Sequence, residues 1–151
     1  MSLTEQFQKL ASTYIEEHGR STPSEIAAWL VQNGLWEPEP SDMIGQCARL
    51  VARAMRQEYI RDPQGRKVRA KHAVTTHDAG TQPAFWDDMR TATREHMAIA
   101  FQQRREQVVG DCRHLKADVD SYNDNQNSGE NIKMVFDFTE DLIELEAAVT
   151  L

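Results

Sequence analysis

The feature that most constrains the fold is a near-heptad apolar row in the second half of the chain. Its members follow one another at steps of four, seven, four, three, four and three residues: Met97, Phe101, Val108, Cys112, Leu115, Val119 and Tyr122. This spacing predicts a long helix with one apolar face. No proline follows Pro83, so we expect the helical pattern to begin there and to continue for about forty residues.

A helix of that length extends about 60 Å at about 1.5 Å per residue. It cannot pack wholly on a domain of about 80 residues, so its apolar face needs a partner helix, from the same chain or from a second copy. After a polar turn at 123–131, residues 132–138 fit either a strand or a helix start, and an acidic helix is expected from Thr139. We therefore expect 84–151 to be an oligomerisation region, with a homodimer formed through the long helix.

The first half of the chain predicts two short helices. Apolar spacings of three and four indicate a helix over 3–18, and His18-Gly19 is a suitable end for it. Thr22 is a good N-cap, with proline next to it and Glu25 three residues on. This capping box predicts a second helix from Pro23 to about Gln32.

A third helix is predicted over 42–58, with Ser41 as its cap. Its apolar residues fall on one face, which we expect to pack against the first two helices: Ile44, Cys47, Ala48, Val51, Ala54 and Met55. The arginines lie on the opposite face. Short strands are predicted at 59–61 and 66–70 around the turn Asp62-Pro63-Gln64-Gly65. The polar residues 72–82 are expected to form a linker.

Charge is distributed unevenly along the chain. The net charge is -7, yet residues 1–80 are neutral overall and the acidic excess lies entirely in 81–151. Eight basic residues and only two acids fall between Arg49 and Lys71. A local basic patch in an acidic protein favours one localised contact with an anionic partner over indiscriminate binding to polyanions. A solvated face balanced by the acidic half is the alternative.

The order helix, helix, helix, strand, turn, strand resembles a winged helix-turn-helix domain. The capped second helix in GRSTPSEIAAWLVQNGLW is similar to the HARE-HTH type, which also occurs in the delta subunit of bacterial RNA polymerase. The expected fold is therefore mainly α, with an N-terminal winged helix of three helices and a two-stranded wing, followed by a long-helix region. The expected domain limits are 1–74, a linker at 75–83, and 84–151.

The resemblance implies binding of duplex DNA, with the third helix in the major groove and the wing on the backbone. The residues that it places at DNA are Ser41, Gln46, Arg49, Arg53, Arg56, Arg66, Lys67 and Arg69. These types suit the task, because phosphates require cations and base edges require amide or fork-shaped donors. We expect a dimeric transcriptional regulator.

Two other functions are considered. The first is an adaptor whose winged helix docks an acidic protein surface while the helical half assembles the complex. The second is a metal-dependent enzyme in the helical half, where Cys112-x-His114 is the start of a candidate metal site. His72, His77 and Asp78 are candidate metal ligands in the linker, although the polarity of a linker also explains them. The nucleotide-binding, zinc-protease and nucleophile-elbow motifs are absent. We expect no enzyme activity, no cofactor and no metal.

Two cysteines far apart do not form a disulfide framework, and the N-terminus lacks the pattern of a signal peptide. No apolar run is long enough to span a membrane. We therefore expect a cytoplasmic protein without a membrane partner.

Overall fold

A computed structural model describes residues 2–38, 42–77 and 83–149 of the protein. The helices are α1 (Leu3–His18), α2 (Pro23–Gln32), α3 (Met43–Arg56), α4 (Arg94–Asn125) and α5 (Thr139–Val149). The strands are β1 (Tyr59–Arg61), β2 (Lys67–Arg69), β3 (Lys71–Thr75) and β4 (Ala84–Asp88). The protein is mainly helical, as predicted. It divides into two compact units, Met1–Val51 and Ala52–Leu151, with the boundary inside α3.

In the first unit, the capping signals act as predicted. The Thr22 side chain accepts a hydrogen bond from the backbone of Glu25, and the Glu25 carboxylate accepts one from the backbone of Thr22. Gly19 ends α1 with a φ of 78°, which glycine adopts without steric cost. Tyr14 on α1 and Trp29 on α2 are in ring contact at 5.4 Å, and Leu30 is buried.

The prediction that the apolar face of α3 is buried is wrong. Ile44 is 86% exposed, and Val51 and Cys47 are exposed as well. Apolar spacing identifies an amphipathic helix, but it does not provide the surface against which that helix packs. The element order of a winged helix is present, and winged-helix packing stays a prediction. Ser41, the predicted cap of this helix, lies outside the described residues.

The predicted hairpin forms in the second unit, with Ile60 paired to Val68 in an antiparallel register. Its turn is held by Asp62, whose carboxylate accepts hydrogen bonds from the backbone of Gln64 and Arg66. Gly65 has a φ of 86°, so the turn requires the conformational freedom of glycine there. The two predicted short strands and their turn are therefore confirmed as a hairpin, and its role as a wing stays a prediction.

The predicted linker at 72–82 is wrong in its first part, which is strand β3. β3 pairs with β4 in an antiparallel register that sets Ala73 opposite Trp86. Strand β4 also replaces the predicted beginning of the long helix. The two hairpins are joined by Ala70, which is fully buried. Its amide donates to the carbonyl of Glu58, and its carbonyl accepts from the amide of Met89.

Helix α4 begins at Arg94, because Thr93 caps it by accepting a hydrogen bond from the backbone of His96. Its first turns pack on β3, where Ala100 is fully buried. Cys112, a member of the near-heptad apolar row, is partly exposed. Residues 132–138 form neither a strand nor a helix, and the acidic helix α5 forms as predicted.

The division into domains at 1–74, 75–83 and 84–151 stays a prediction. Among the described residues, no helix combines the length and the hydrophobicity that crossing a membrane requires.

Candidate nucleic-acid interface

The residues predicted to contact DNA fall on two elements. Helix α3 carries Gln46, Arg49, Arg53 and Arg56, all of them exposed. Arg66 lies in the hairpin turn, and Lys67 and Arg69 are on β2. The structure shows which of these cations are paired with carboxylates and which are not, a difference that the sequence did not predict.

Two of the predicted cations are paired with carboxylates. Arg49 lies 3.3 Å from Asp42, and Arg66 lies 2.7 Å from Asp62. Burial acts to raise the pKa of Asp62, but hydrogen bonds from the backbone and side chain of Arg66 outweigh it and lower that pKa. Asp62 therefore stays ionised beside Arg66 to a lower pH than an isolated aspartate does. A cation that is already paired gains less from a phosphate, because the existing ion pair must be broken or shared.

The other four cations have no carboxylate partner within the ranges 2–38, 42–77 and 83–149: Arg53, Arg56, Lys67 and Arg69. Two of them contact aromatic rings. The ammonium of Lys67 lies 4.8 Å from the ring centroid of Tyr59, and the guanidinium of Arg56 lies 5.9 Å from that of Trp86. Such contacts orient a cation without neutralising it.

A basic cleft of about 800 Å³ lies within the second unit. We call it the basic cleft and define it by the side chains Arg56, Arg69, Lys71, His72, Trp86 and Arg104, which all line it. They come from the last turn of α3, from both hairpins and from α4. Glu106 is the one acidic residue that lines it among the residues that the structure describes.

Some of the cations in the basic cleft are paired with carboxylates and others are not. Lys71 is 3.0 Å from Glu58 and 3.2 Å from Asp88, so its charge is balanced. Arg69 and Arg104 have no such carboxylate in the described part of the chain. Partial burial, followed by repulsion from Arg69, lowers the pKa of Arg104. The cleft therefore holds uncompensated positive charge.

His72 is the most buried polar residue of this region, with 3% of its surface exposed. Its Nε2 lies 2.9 Å from the carbonyl of Arg69 and must donate to it, since a carbonyl only accepts. Nδ1 is buried without a hydrogen-bond partner in the described structure. Burial lowers the pKa of His72, and the charges of Arg104 and Arg69 lower it further. The imidazole is therefore neutral at pH 7.

The pattern reasoning missed Arg104, Trp86 and His72 as members of a site. Trp86 falls where the long helix was predicted to begin, and His72 was assigned to a linker. Arg104 carries no local signal, because only the packing of α4 on β3 brings it near Arg69. Of the candidate metal ligands, Asp78 lies outside the described residues.

No family model matches the chain, and neither does any curated protein sequence or solved structure.

Proposed function

We propose that the protein binds duplex DNA through the basic residues of α3 and the β1–β2 hairpin. The observation that carries this proposal is a group of four cations in one compact unit that have no carboxylate partner among the described residues: Arg53, Arg56, Lys67 and Arg69. Free cations gain most from phosphates, because binding releases the counterions of the nucleic acid. The hairpin supplies the rigid support that positions two of them.

The experiment is a fluorescence-anisotropy titration of the full chain against a labelled random-sequence duplex, at low and at physiological salt. We expect binding that weakens as salt rises, as counterion release requires. Changing Arg53→Ala together with Lys67→Ala should weaken binding about tenfold or more and reduce the salt slope by about two.

The matched control is Arg49→Ala together with Arg66→Ala, which removes the same two charges from the same two regions. Because both arginines are paired with carboxylates, we expect a smaller loss of affinity. Equal losses would show that only net charge matters. Unchanged binding in the Arg53 and Lys67 variant would contradict the assignment of this surface.

We also infer a homodimer through α4. The chain's own surface supports this partner, because four exposed residues repeat at seven-residue steps along the helix: Phe101, Val108, Leu115 and Tyr122. A heptad row is matched by a helix with the same repeat, which a second copy provides. Two basic units would then address two DNA sites at once, as expected of a dimeric transcriptional regulator.

A protein-binding adaptor is the second candidate. The exposed apolar face of α3, with Ile44 and Val51, favours it, and the neighbouring arginines select an acidic partner surface. Absence of duplex binding even at low salt would favour this role over DNA binding.

A further inference from the structure

The basic cleft has a composition that matches one class of ligand. Three guanidinium groups line it without a carboxylate partner in the described residues, those of Arg56, Arg69 and Arg104. Among the described residues, Glu106 is the one acid that lines the cleft, and it accepts a hydrogen bond from the Gln102 amide at 3.3 Å. Like charges that converge in a partly buried space repel one another, and an anion in the cleft relieves that repulsion.

Phosphate suits this arrangement better than a carboxylate does. A phosphate monoester carries a charge of about -1.5 to -2 near pH 7 and offers three acceptor oxygens. Planar guanidinium groups bind such oxygens in pairs, so two or three arginines can share one phosphate. The cleft volume of about 800 Å³ also accommodates more than a bare ion, because sites for small molecules measure about 300–1,000 Å³.

The surroundings hold the arginines in place. Arg56 lies over the ring of Trp86, and the strand that carries Arg69 is paired with β1. The amide of Gln103, next to Arg104 in sequence, forms two hydrogen bonds with the backbone of Thr75 and fixes this turn of α4 against β3. A preformed set of donors loses little conformational entropy on binding.

We propose that the basic cleft is a phosphate-binding site, with Arg104 as its central contact and Arg69 and Arg56 as the flanking ones. The ligand is a phosphate ester, either a diester of a nucleic-acid backbone or the monoester of a nucleotide. The site brings α4 into ligand binding, a role that the sequence did not assign to it. This inference stands on the cleft and not on the duplex-binding proposal.

The test is an NMR titration of the isotope-labelled full chain with adenosine 5′-monophosphate, with adenosine and inorganic phosphate as parallel probes. The signals to follow are the Trp86 indole N–H and the side-chain amides of Gln103 and Gln107, which all line the cleft. We expect the two phosphate-bearing probes to shift these signals and adenosine to leave them in place.

Arg104→Gln should weaken the monophosphate about tenfold, since a charged hydrogen-bonding group is lost. The matched control is Arg113→Gln, the same change on the same helix outside the cleft lining, and it should change the affinity less than twofold. Arg104→Lys keeps the positive charge but lacks the planar guanidinium group that binds two oxygens at once, so its affinity for the monophosphate should lie between those of the two glutamine variants. If Arg104→Gln does not fold, by circular dichroism, Arg69→Gln replaces it.

Adding unlabelled duplex DNA to the nucleotide-bound protein separates the two ligand sources. Displacement of the nucleotide shows that backbone phosphates occupy the cleft, and simultaneous binding shows a separate site for a small phosphate ester. Either result supports the site. Equal effects of Arg104→Gln and Arg113→Gln, or no advantage of the monophosphate over adenosine, would overturn it. If the wild-type protein binds the nucleotide but not duplex DNA, that result would contradict only the DNA proposal.

Discussion

The buried imidazole of His72 links the stability of the second unit to pH. It donates to the carbonyl of Arg69 and has its other nitrogen buried without a partner in the described structure. The cations Arg69 and Arg104 lie near it, and His96 donates to its carbonyl at 3.0 Å. Protonating this ring inside the fold is therefore costly.

We expect the free energy of unfolding to fall as the pH drops below about 6.5. Burial lowers the pKa of His72 in the folded protein, whereas the unfolded chain protonates this histidine near pH 6.5. Below that pH the unfolded state binds more protons, so acidification favours it, by at most about 1.4 kcal/mol per pH unit from this group. Above about pH 6.5 the histidine is neutral in both states, so the contribution of His72 to stability no longer changes with pH.

Urea unfolding of His72→Gln at several pH values checks this. The glutamine amide can still donate to the carbonyl of Arg69, but it does not titrate, so the loss of stability with acid should be smaller than in the wild type. His114→Gln, a change at an exposed position of α4, should keep the wild-type profile. A His72→Gln protein with the wild-type pH dependence would rule out this residue as the cause.

At the scale of elements, the Gln103 side chain of α4 forms two of the hydrogen bonds that attach this helix to β3, in addition to the one from His96. The Gln103 amide accepts from the Thr75 N–H at 2.8 Å and donates to the Thr75 carbonyl at 2.9 Å. It therefore satisfies the edge of β3 as a neighbouring strand would. The arrangement closes the strand edge and orients the turn of α4 that carries Arg104.

Gln103→Ala should lower the free energy of unfolding by about 1–3 kcal/mol, because both backbone groups of Thr75 lose their partner. Gln102→Ala is the matched control. Gln102 is exposed and forms one long hydrogen bond to Glu106 within its own helix, so the cost should stay below about 0.5 kcal/mol. Chemical denaturation measures both, and equal costs would show that the bonds to Thr75 contribute little.

The elements that local patterns predict correctly are those that local forces determine. Helix α2 begins at Pro23 because its cap and capping partner lie within four residues of each other. Strand β3 was missed because its burial depends on α4, and the polar residue His72 becomes a core residue only by packing there. The sequence predicted only part of the basic cleft. Arg56 and Arg69 belong to the basic segment that the charge pattern identifies, whereas Arg104 is distant in sequence and joins them only through the packing of α4.

At the scale of the whole molecule, basic and acidic residues are concentrated in different parts of the sequence. The eight basic residues between Arg49 and Lys71 contrast with the nine acids that follow residue 117. The exposed heptad row of α4 lies between these regions in sequence. A partner that covers the row must bury four large side chains, each about half exposed, and the burial of each stabilises association.

We expect the full chain to have the mass of a dimer in light scattering, and Val108→Glu to shift it toward the monomer. Each copy loses about 1.5 kcal/mol of apolar burial, so the dimer dissociation constant should rise about 100-fold or more. Val109→Glu is the matched control, since Val109 is equally exposed but lies beside the heptad row. A monomeric wild type, or equal effects of the two variants, would contradict a dimer formed through this row.

The relative orientation of the two α4 helices in this dimer can be tested by reversing charges. Arg105 and Asp118 lie at equal distances in sequence from the midpoint between Phe101 and Tyr122, so an antiparallel pair of helices sets each opposite the other in the partner copy. Arg105→Glu should then weaken the dimer, because it places two acids together, and Arg105→Glu combined with Asp118→Arg should restore it. Sedimentation at several concentrations measures both. If the double variant is as weak as Arg105→Glu alone, the helices do not pair antiparallel in this register.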